Sequence, residues 1–382
     1  MSHRKIYYLC SLLVTFLFLG CQPKDTFAWN AGLSAPKYYG NGGPFVEYFY
    51  NGKSIGGASA NIGSDPGWGI TSGGYDGGDK FKAVPDSVSV KWICANDGYY
   101  YSGGYKLPRE KMIALFKKDF MDPFGLVRYG LITTGMALGG NVTVWLQGGQ
   151  ASTEICKFKV KSIGIYRESE EAERIESKIL ASKEFLNGKV NIFRYLHGIP
   201  YDIWETGEKK YTYDIVFSSE EKYDYDMIFY TKDGSWFELN DTNSFLPWGS
   251  DMAVNNKKVR VKHQYKLPVE FHFQWYSKDE KEWFSGNIVL PQNLLSMFLK
   301  KKSDKLLITI KNNTGKNSVD GNIYLVNNSY KDKIMTFQLE KYDGKTKRTY
   351  PYYSLPKGFV FPKWEGRKAL TKPTDFEYWQ EK

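Results

Sequence analysis

Histidine and cysteine are both scarce in this chain, at four each in 382 residues. None of His197, His263 and His272 falls in an HExxH segment or has a cysteine or carboxylate at zinc-finger spacing, so the common sequence signatures of a zinc site are excluded. His272 is expected on the solvated face of a strand. Nucleophile motifs are missing too: "GASAN" at 57–61 lacks the closing glycine of a nucleophile elbow. "SGGYDGGDK", Ser72 to Lys80, has the glycines of a phosphate loop but not its Gly-Lys-Ser/Thr ending, and reads as a surface loop. "DGSWFELNDTN" gathers Asp233, Glu238, Asn240 and Asp241, yet the spacing fits no EF-hand, so a polar hairpin is expected. No short motif marks paired catalytic carboxylates. Together these absences point away from an enzyme, with no cofactor and no metal expected.

Long apolar runs are also absent after the amino terminus, where one short run stands out. His3, Arg4 and Lys5 begin a basic stretch, and Ile6 to Leu19 follow as an apolar segment. That run is short for a bilayer span, which needs about 20 residues, but it fits a secretory signal. It ends in Phe18-Leu19-Gly20-Cys21, which resembles the lipobox of bacterial lipoproteins. The resemblance implies a signal peptide over 1–20, lipid attachment at Cys21 and a short polar tether over 21–27. The alternatives are an uncleaved anchor or an ordinary signal peptide in which Cys21 is incidental. On the lipoprotein reading the chain belongs to a bacterial cell envelope, held by lipid at the outer membrane with its face unspecified.

Negative charge is in deficit. The formal balance is +10, and loss of Arg4 and Lys5 with the signal leaves +8. The basic residues come in short clusters, such as Lys257-Lys258-Val259-Arg260-Val261-Lys262 and Lys300-Lys301-Lys302. Without a continuous basic face or a binding motif, nucleic acid is not an expected partner. Lysines guarding strand edges, or attraction to anionic lipid headgroups or an acidic partner, account for the excess. Cys10 leaves with the signal and Cys21 carries lipid, so Cys94 and Cys156 remain as candidates for a disulfide. Two separately buried thiols are an equal alternative.

What the chain has in quantity is aromatic side chains and glycine: 29 Tyr, 24 Phe, 11 Trp and 37 Gly. That mixture favours strands joined by turns. "VKWICANDGYYYSGGYKLP" from Val90 has a frame that returns as "FQWYSKDEKEWFSGNIVLP" from Phe273. In both, Trp is followed by nine residues, Ser-Gly, three residues and Leu-Pro. Val88, Val90, Trp92 and Cys94 alternate with polar neighbours, as do Phe271, Phe273 and Trp275 with Glu270, His272 and Gln274. A period of two marks half-buried strands in an antiparallel sheet. Asn96-Asp97-Gly98 supplies a turn. Leu107-Pro108 and Leu290-Pro291 lead into the short amphipathic helices "REKMIALFKKDF" and "QNLLSMFLKKK", with Pro expected as the first helical residue. Two strands are expected after each.

The predicted fold is therefore mainly β, a β-rich α+β chain. It has two homologous antiparallel-sheet or sandwich-like domains over 28–165 and 190–345, each with one short helix. A linker helix is expected over 166–189, where Ala172, Ile175, Ile179 and Leu186 share a face. The residues from 346 to 382 form a Pro- and aromatic-rich tail.

"WNAGLSAPKYYG", the Gly-Trp-Gly at 67–69, "PDSVSVKW" and "YYSGGYKLPREKMIALF" together resemble the bacterial domain-of-unknown-function family 2931. Its members are largely small lipoproteins, and some relatives accompany secreted antibacterial phospholipase toxins. The resemblance implies an immunity function and carries no catalytic residue across. The expected function is thus an exported, lipid-anchored, non-enzymatic binding protein, an inhibitor or immunity lipoprotein against a secreted toxin. Tyr99, Tyr100, Tyr101, Trp236, Trp248 and Trp283 are the candidate binding surface, because flat rings give contact area at low entropic cost. Trp283 holds the place of Tyr100 in the other copy of the frame. A cell-envelope glycan-binding lipoprotein is the alternative, since sugars stack on exposed aromatics, and a structural envelope lipoprotein is a third.

Overall fold

The computed structural model describes residues 25–60, 65–72, 79–94, 97–122, 125–149, 151–166, 189–221, 223–240, 264–277, 281–311, 317–342 and 353–354. The signal segment, the expected linker helix, Trp248 and most of the carboxy-terminal tail lie outside these residues. The fold is mainly β, with several antiparallel sheets and few, short helices.

The amino-terminal half begins with β1 (Thr26–Ala28), β2 (Asn30–Ser34), β3 (Gly42–Tyr50) and β4 (Lys53–Ser59). Next come β5 (Phe81–Ala83), β6 (Ser87–Cys94), β7 (Tyr99–Lys106) and helix α1 (Arg109–Phe116). A small hairpin, β8 (Phe120–Asp122) and β9 (Gly125–Val127), leads to β10 (Leu131–Met136), β11 (Asn141–Gly148), β12 (Ala151–Lys159) and β13 (Ser162–Ile165). These strands form a four-stranded sheet in the order β12-β11-β10-β2 and a five-stranded sheet in the order β13-β7-β6-β3-β4. All pairs are antiparallel except β2 with β10, and β1 pairs with β5 as a separate ribbon.

The carboxy-terminal half opens with two helices, α2 (Lys189–His197) and α3 (Tyr201–Thr206). Then come β14 (Lys210–Thr212), β15 (Asp214–Ser219), β16 (Asp224–Thr231), β17 (Trp236–Asn240), β18 (Gln264–Lys266), β19 (Pro268–Tyr276) and β20 (Trp283–Val289). Helix α3 is thus followed by a long β run, broken by α4 (Leu294–Lys301). The remaining strands are β21 (Lys305–Ile310), β22 (Ser318–Asn327), β23 (Tyr330–Lys341) and β24 (Tyr353–Ser354). One sheet runs β15-β21-β22-β23-β20-β19-β16-β17, with β24 beside β20. Only β15 with β21 and β20 with β24 are parallel. Strand β23 hydrogen-bonds β20 through Lys341↔Phe284 and Glu340↔Ser285, which joins into one sheet what the first half keeps as two.

Alternation explains the central strands. Along β6, Val88, Val90, Trp92 and Cys94 are buried while the residues between them are not. Along β19, Phe271, Phe273 and Trp275 point into a second core. Trp92 sits opposite Tyr101, stacked on it at 4.9 Å, and Trp275 sits opposite Phe284, with ring centroids 5.8 Å apart. Each helix packs an apolar stripe on its sheet: Met112, Ile113 and Phe116 from α1, Leu294 and Phe298 from α4. The expected prolines fall just before these helices. Pro108 is the N-cap of α1, and α4 starts only at Leu294, after Pro291.

Two cores result, and they do not divide where the chain's halves do. Phe193, Ile199, Tyr201 and Trp204 of the α2–α3 segment, with Tyr230 of β16, are buried in the first core. Trp92 and Trp275 are each essentially solvent-free, at 0% and 1% exposure. Replacing either by Ala should cost about 3–5 kcal/mol, the usual range for a buried aromatic. Because the two rings belong to separate cores, the double variant should lose about the sum of the two. Urea unfolding measures both, and an unchanged midpoint in either single variant would contradict this packing.

Candidate functional site

The sharpest feature lies where the two cores meet. The turn between β16 and β17, Thr231 to Ser235, is driven into the amino-terminal half. Asp233 and Gly234 form its tip, and Gly234 has φ of +79°, a conformation that favours glycine. A Cβ at Gly234 would stand 2.7 Å from Pro36 Cβ and 2.8 Å from the Lys37 nitrogen, so the site also has no room for one. The Gly234 carbonyl accepts from the backbone N–H of Lys37 and of Trp68, both at 2.9 Å. The Asp233 carbonyl accepts from Trp204 Nε1 at 2.8 Å. Trp236 reaches back the other way, its Nε1 donating to the Pro66 carbonyl at 2.6 Å.

Inside the turn the Asp233 carboxylate is saturated. Oδ1 accepts from Thr231 Oγ1 at 2.8 Å, from the Ser235 N–H at 2.9 Å and from Ser235 Oγ at 2.8 Å, while Oδ2 takes the Lys266 ammonium. Burial alone would raise its pKa, but the charge and hydrogen bond of Lys266, with the Ser235 donors, outweigh it and hold the carboxyl below its usual value. Lys266 is the mirror case: burial opposes its charge, and Asp233 with Glu208 keeps it above its usual value. Glu208, whose Oε2 accepts from the Asp233 N–H at 3.0 Å, goes the other way. Burial first, then the neighbouring Asp233 charge, push it up to about 8.

These groups form one wall of a cleft of about 360 Å³ at the seam. The amino-terminal half contributes Trp68, Trp145, Glu154 and Lys157, and the carboxy-terminal half Glu208, Lys210, Trp236 and Lys266. Trp68 and Trp145 meet edge to face at 5.1 Å, so the aromatic floor is rigid. Most of the charges are paired with each other, Lys266 with Asp233 and Lys157 with Glu154. A volume in this range suits a small ligand or a few side chains of a partner.

A second contact across the seam was not legible in the sequence. Glu270 of β19 is fully buried, and its Oε2 lies 3.2 Å from His197 Nε2 of α2. Its other oxygen has no hydrogen-bond partner among the described residues. Nearby, Tyr39 donates its hydroxyl to the Gly198 carbonyl, and Arg194 donates to the Tyr38 carbonyl at 2.7 Å. Period-two reading put Glu270 on the solvated face of β19, and that face is solvated only where the α2 segment does not cover it. His272, expected in solvent, is half-buried and 3.1 Å from Asn287 Oδ1.

The candidate binding residues scatter. Tyr101 is buried on Trp92, with its hydroxyl donating to Asp97 at 2.8 Å, whereas Tyr99 and Tyr100 are half-buried on the same strand. Trp283 is half-buried and packs on Tyr276 at 5.7 Å and Tyr342 at 5.4 Å, in the other core's sheet. Of the five that lie among the described residues, Trp236 alone lines the cleft; Trp248 lies outside them. Cys21 is outside them as well. Cys94 and Cys156 are free thiols on different sheets, opposite Tyr99 and Val144, so the bridged alternative is not what the structure holds. Burial pushes the Cys156 thiol up to about 11. The Asp233 hairpin is polar and internally bonded, and among the described residues no group of three or more His, Cys, Asp or Glu could hold a metal ion.

Gly234→Ala should lower stability by about 1–3 kcal/mol, since it adds left-handed strain to a steric clash at the seam, and the urea midpoint reads it. Glu208 gives a pH signature. Its pKa in the folded protein lies above its ordinary 4.5, so the folded state binds the proton more tightly and stability falls as pH climbs from 4.5 to about 8. Glu208→Gln has no proton to lose. Its stability relative to wild type should therefore rise across that window and level off above it; a difference constant with pH would contradict the assignment.

No curated protein and no solved structure matches the chain. Residues 20–202 match the family model described as "Protein of unknown function (DUF2931)", a span that holds most of the first core, α2 and the Gly-Trp-Gly against which the seam turn is seated.

Proposed function

We propose that the chain is an exported, lipid-anchored, non-enzymatic binding protein made of two tandem copies of one domain, which presents the seam cleft to a secreted protein toxin as an inhibitor or immunity factor. The lipobox-like Phe18-Leu19-Gly20-Cys21 supports export and acylation of Cys21 at the outer membrane. The order of elements supports tandem copies. The parallel pair β2–β10 has its counterpart in β15–β21, the series β4-β3-β6-β7 in β17-β16-β19-β20, and the ribbon β1–β5 in β14–β18. Helices α1 and α4 fall at the same point in that order, and the Trp92–Tyr101 pair matches Trp275–Phe284. Position by position, Tyr100 faces Ile93 as Trp283 faces Tyr276.

The observation that carries the binding reading is the cleft itself. It exists only because the β16–β17 turn of one half is seated in the other, and both halves line it. Its carboxylates and ammonium groups are largely neutralised by each other, which suits recognition better than proton or acyl transfer. Glycan binding is the second reading, favoured by one observation: Trp236 is half-buried in a polar cleft beside Glu154 and Lys157, an arrangement that fits stacking of a sugar ring.

The test is to immobilise residues 22–382, expose them to secretions of competing bacteria and identify what is retained. One stoichiometric secreted protein is expected, with its affinity reduced at least tenfold by Trp236→Ala or by the rim reversal Lys157→Glu, an effect of hot-spot size. Saturable retention on envelope polysaccharide, with the same dependence on Trp236, would replace the toxin reading by the glycan one. A folded protein that retains neither would overturn both and leave a structural role in the envelope.

A further inference from the structure

We propose that the surface formed by Asp25, the end of α1 and the β8–β9 hairpin lies directly against the phospholipid bilayer. This rests on the lipid-anchored reading above and adds to it which face of the molecule meets the membrane. Cys21 and Asp25 are four Cα steps apart, so the acylated residue can lie no farther than roughly 14 Å from Asp25 however the chain runs.

Asp25 is itself fixed. Its carboxylate pairs with Lys117 Nζ at 3.0 Å and with the Arg109 guanidinium at 3.9 Å, and its carbonyl accepts from the Val84 N–H at 3.4 Å. The chain then enters β1, held to β5, and Phe27 stacks on Phe116 of α1 at 5.1 Å. The anchor point is thereby tied to the carboxy-terminal end of α1. Exposed Lys117 and Lys118 follow at once, and then the hairpin.

The hairpin carries Leu126, which at 67% has the greatest exposure of any large apolar residue among those described. Leu126 is in register with Met121, four residues beyond Lys117, so it too lies within about 15 Å of the Asp25–Lys117 pair plus one strand spacing. An exposed leucine flanked by Lys117, Lys118 and Arg128 is the pattern of an interfacial contact. Leu126 enters the headgroup layer while the long basic side chains lie along it and reach the phosphates. Of the carboxylates here, Asp25, Glu110 and Asp119 each pair with a basic neighbour, and Asp122 adds a further negative charge, so net attraction to an anionic surface is small. The short tether, rather than charge, imposes the contact.

The second half supplies an internal control. The outer side of α4 presents Leu295 and Leu299, followed by Lys300, Lys301 and Lys302, a surface of the same chemistry with no anchor beside it. The experiment is amine footprinting of the full lipidated chain on vesicles of phosphatidylethanolamine and phosphatidylglycerol, using a membrane-impermeant reagent and mass spectrometry. The Cys21→Ser chain free in solution is the reference. Lys117 and Lys118 should be modified roughly threefold less, or lower still, on vesicles, with Lys300 to Lys302 unchanged. Equal labelling of Lys117 and Lys118 in both states, or protection at Lys300 to Lys302 instead, overturns the proposal while leaving the anchor intact. If the Cys21→Ser chain binds vesicles as the wild type does, or the wild type stays in solution, the anchor reading fails and this face falls with it.

Discussion

Everything at the seam depends on one buried carboxylate. Asp233 sits at a turn tip that has left its own sheet and entered the other half, where a bare charge would be costly. Lys266, Ser235 and Thr231 satisfy it from within the carboxy-terminal half, so the turn arrives as a finished, nearly neutral plug. That leaves its backbone carbonyls free to accept from Lys37, Trp68 and Trp204 of the surrounding structure. Without the internal pairing, the same turn would bring an uncompensated charge into an aromatic pocket, a loss of the kind that costs several kcal/mol. The β3–β4 hairpin turn of the first half, Asn51-Gly52, has no such burden and stays exposed.

The aromatic wealth of the chain follows from its sheets. Short strands give little length over which to bury aliphatic surface, and large rings fill the space between layers with few residues. Trp92, Tyr101, Tyr48 and Trp29 do this in the first core, and Phe229, Phe271, Phe273 and Trp275 in the second. Some of the polar tips are used, as Tyr48 meets Thr134 at 2.7 Å and Tyr101 meets Asp97, whereas the indole N–H groups of Trp92 and Trp275 have no hydrogen-bond partner among the described residues. Rings spent on packing in this way are not available for contact with a partner, which is why a tyrosine-rich strand is a poor guide to a binding surface.

The mainly β architecture was legible because it is written locally. Val88, Val90 and Trp92 show their strand through neighbours two residues away, and Leu107-Pro108 announces a helix in the next few positions. The candidate site was not legible, because it is assembled from segments with no local signature of one another. Trp236 and Pro66 are 170 residues apart, and Tyr39 and Gly198 are 159 apart. Glu270 illustrates the physical reason. Alternation assigns a side chain to a face but does not say whether that face meets water or a helix, and here α2 decides it. Gly234 could have drawn notice as the tip of a hairpin, yet nothing near it in the chain says that Pro36 lies against it.

Cys94 and Cys156, neither of them in a disulfide, bear on how the chain would fare outside a reducing compartment, where the proposed function places it. Exchange and oxidation proceed through the thiolate, and at neutral pH a thiol with a pKa near 11 is ionised in only about one molecule in ten thousand. Cys94 is sealed in the core altogether. Kept apart on different sheets, one shielded from reagents and the other held protonated, they are chemically quiet. On the export reading proposed above, the protein can therefore cross an oxidising space with Cys94 and Cys156 unbridged.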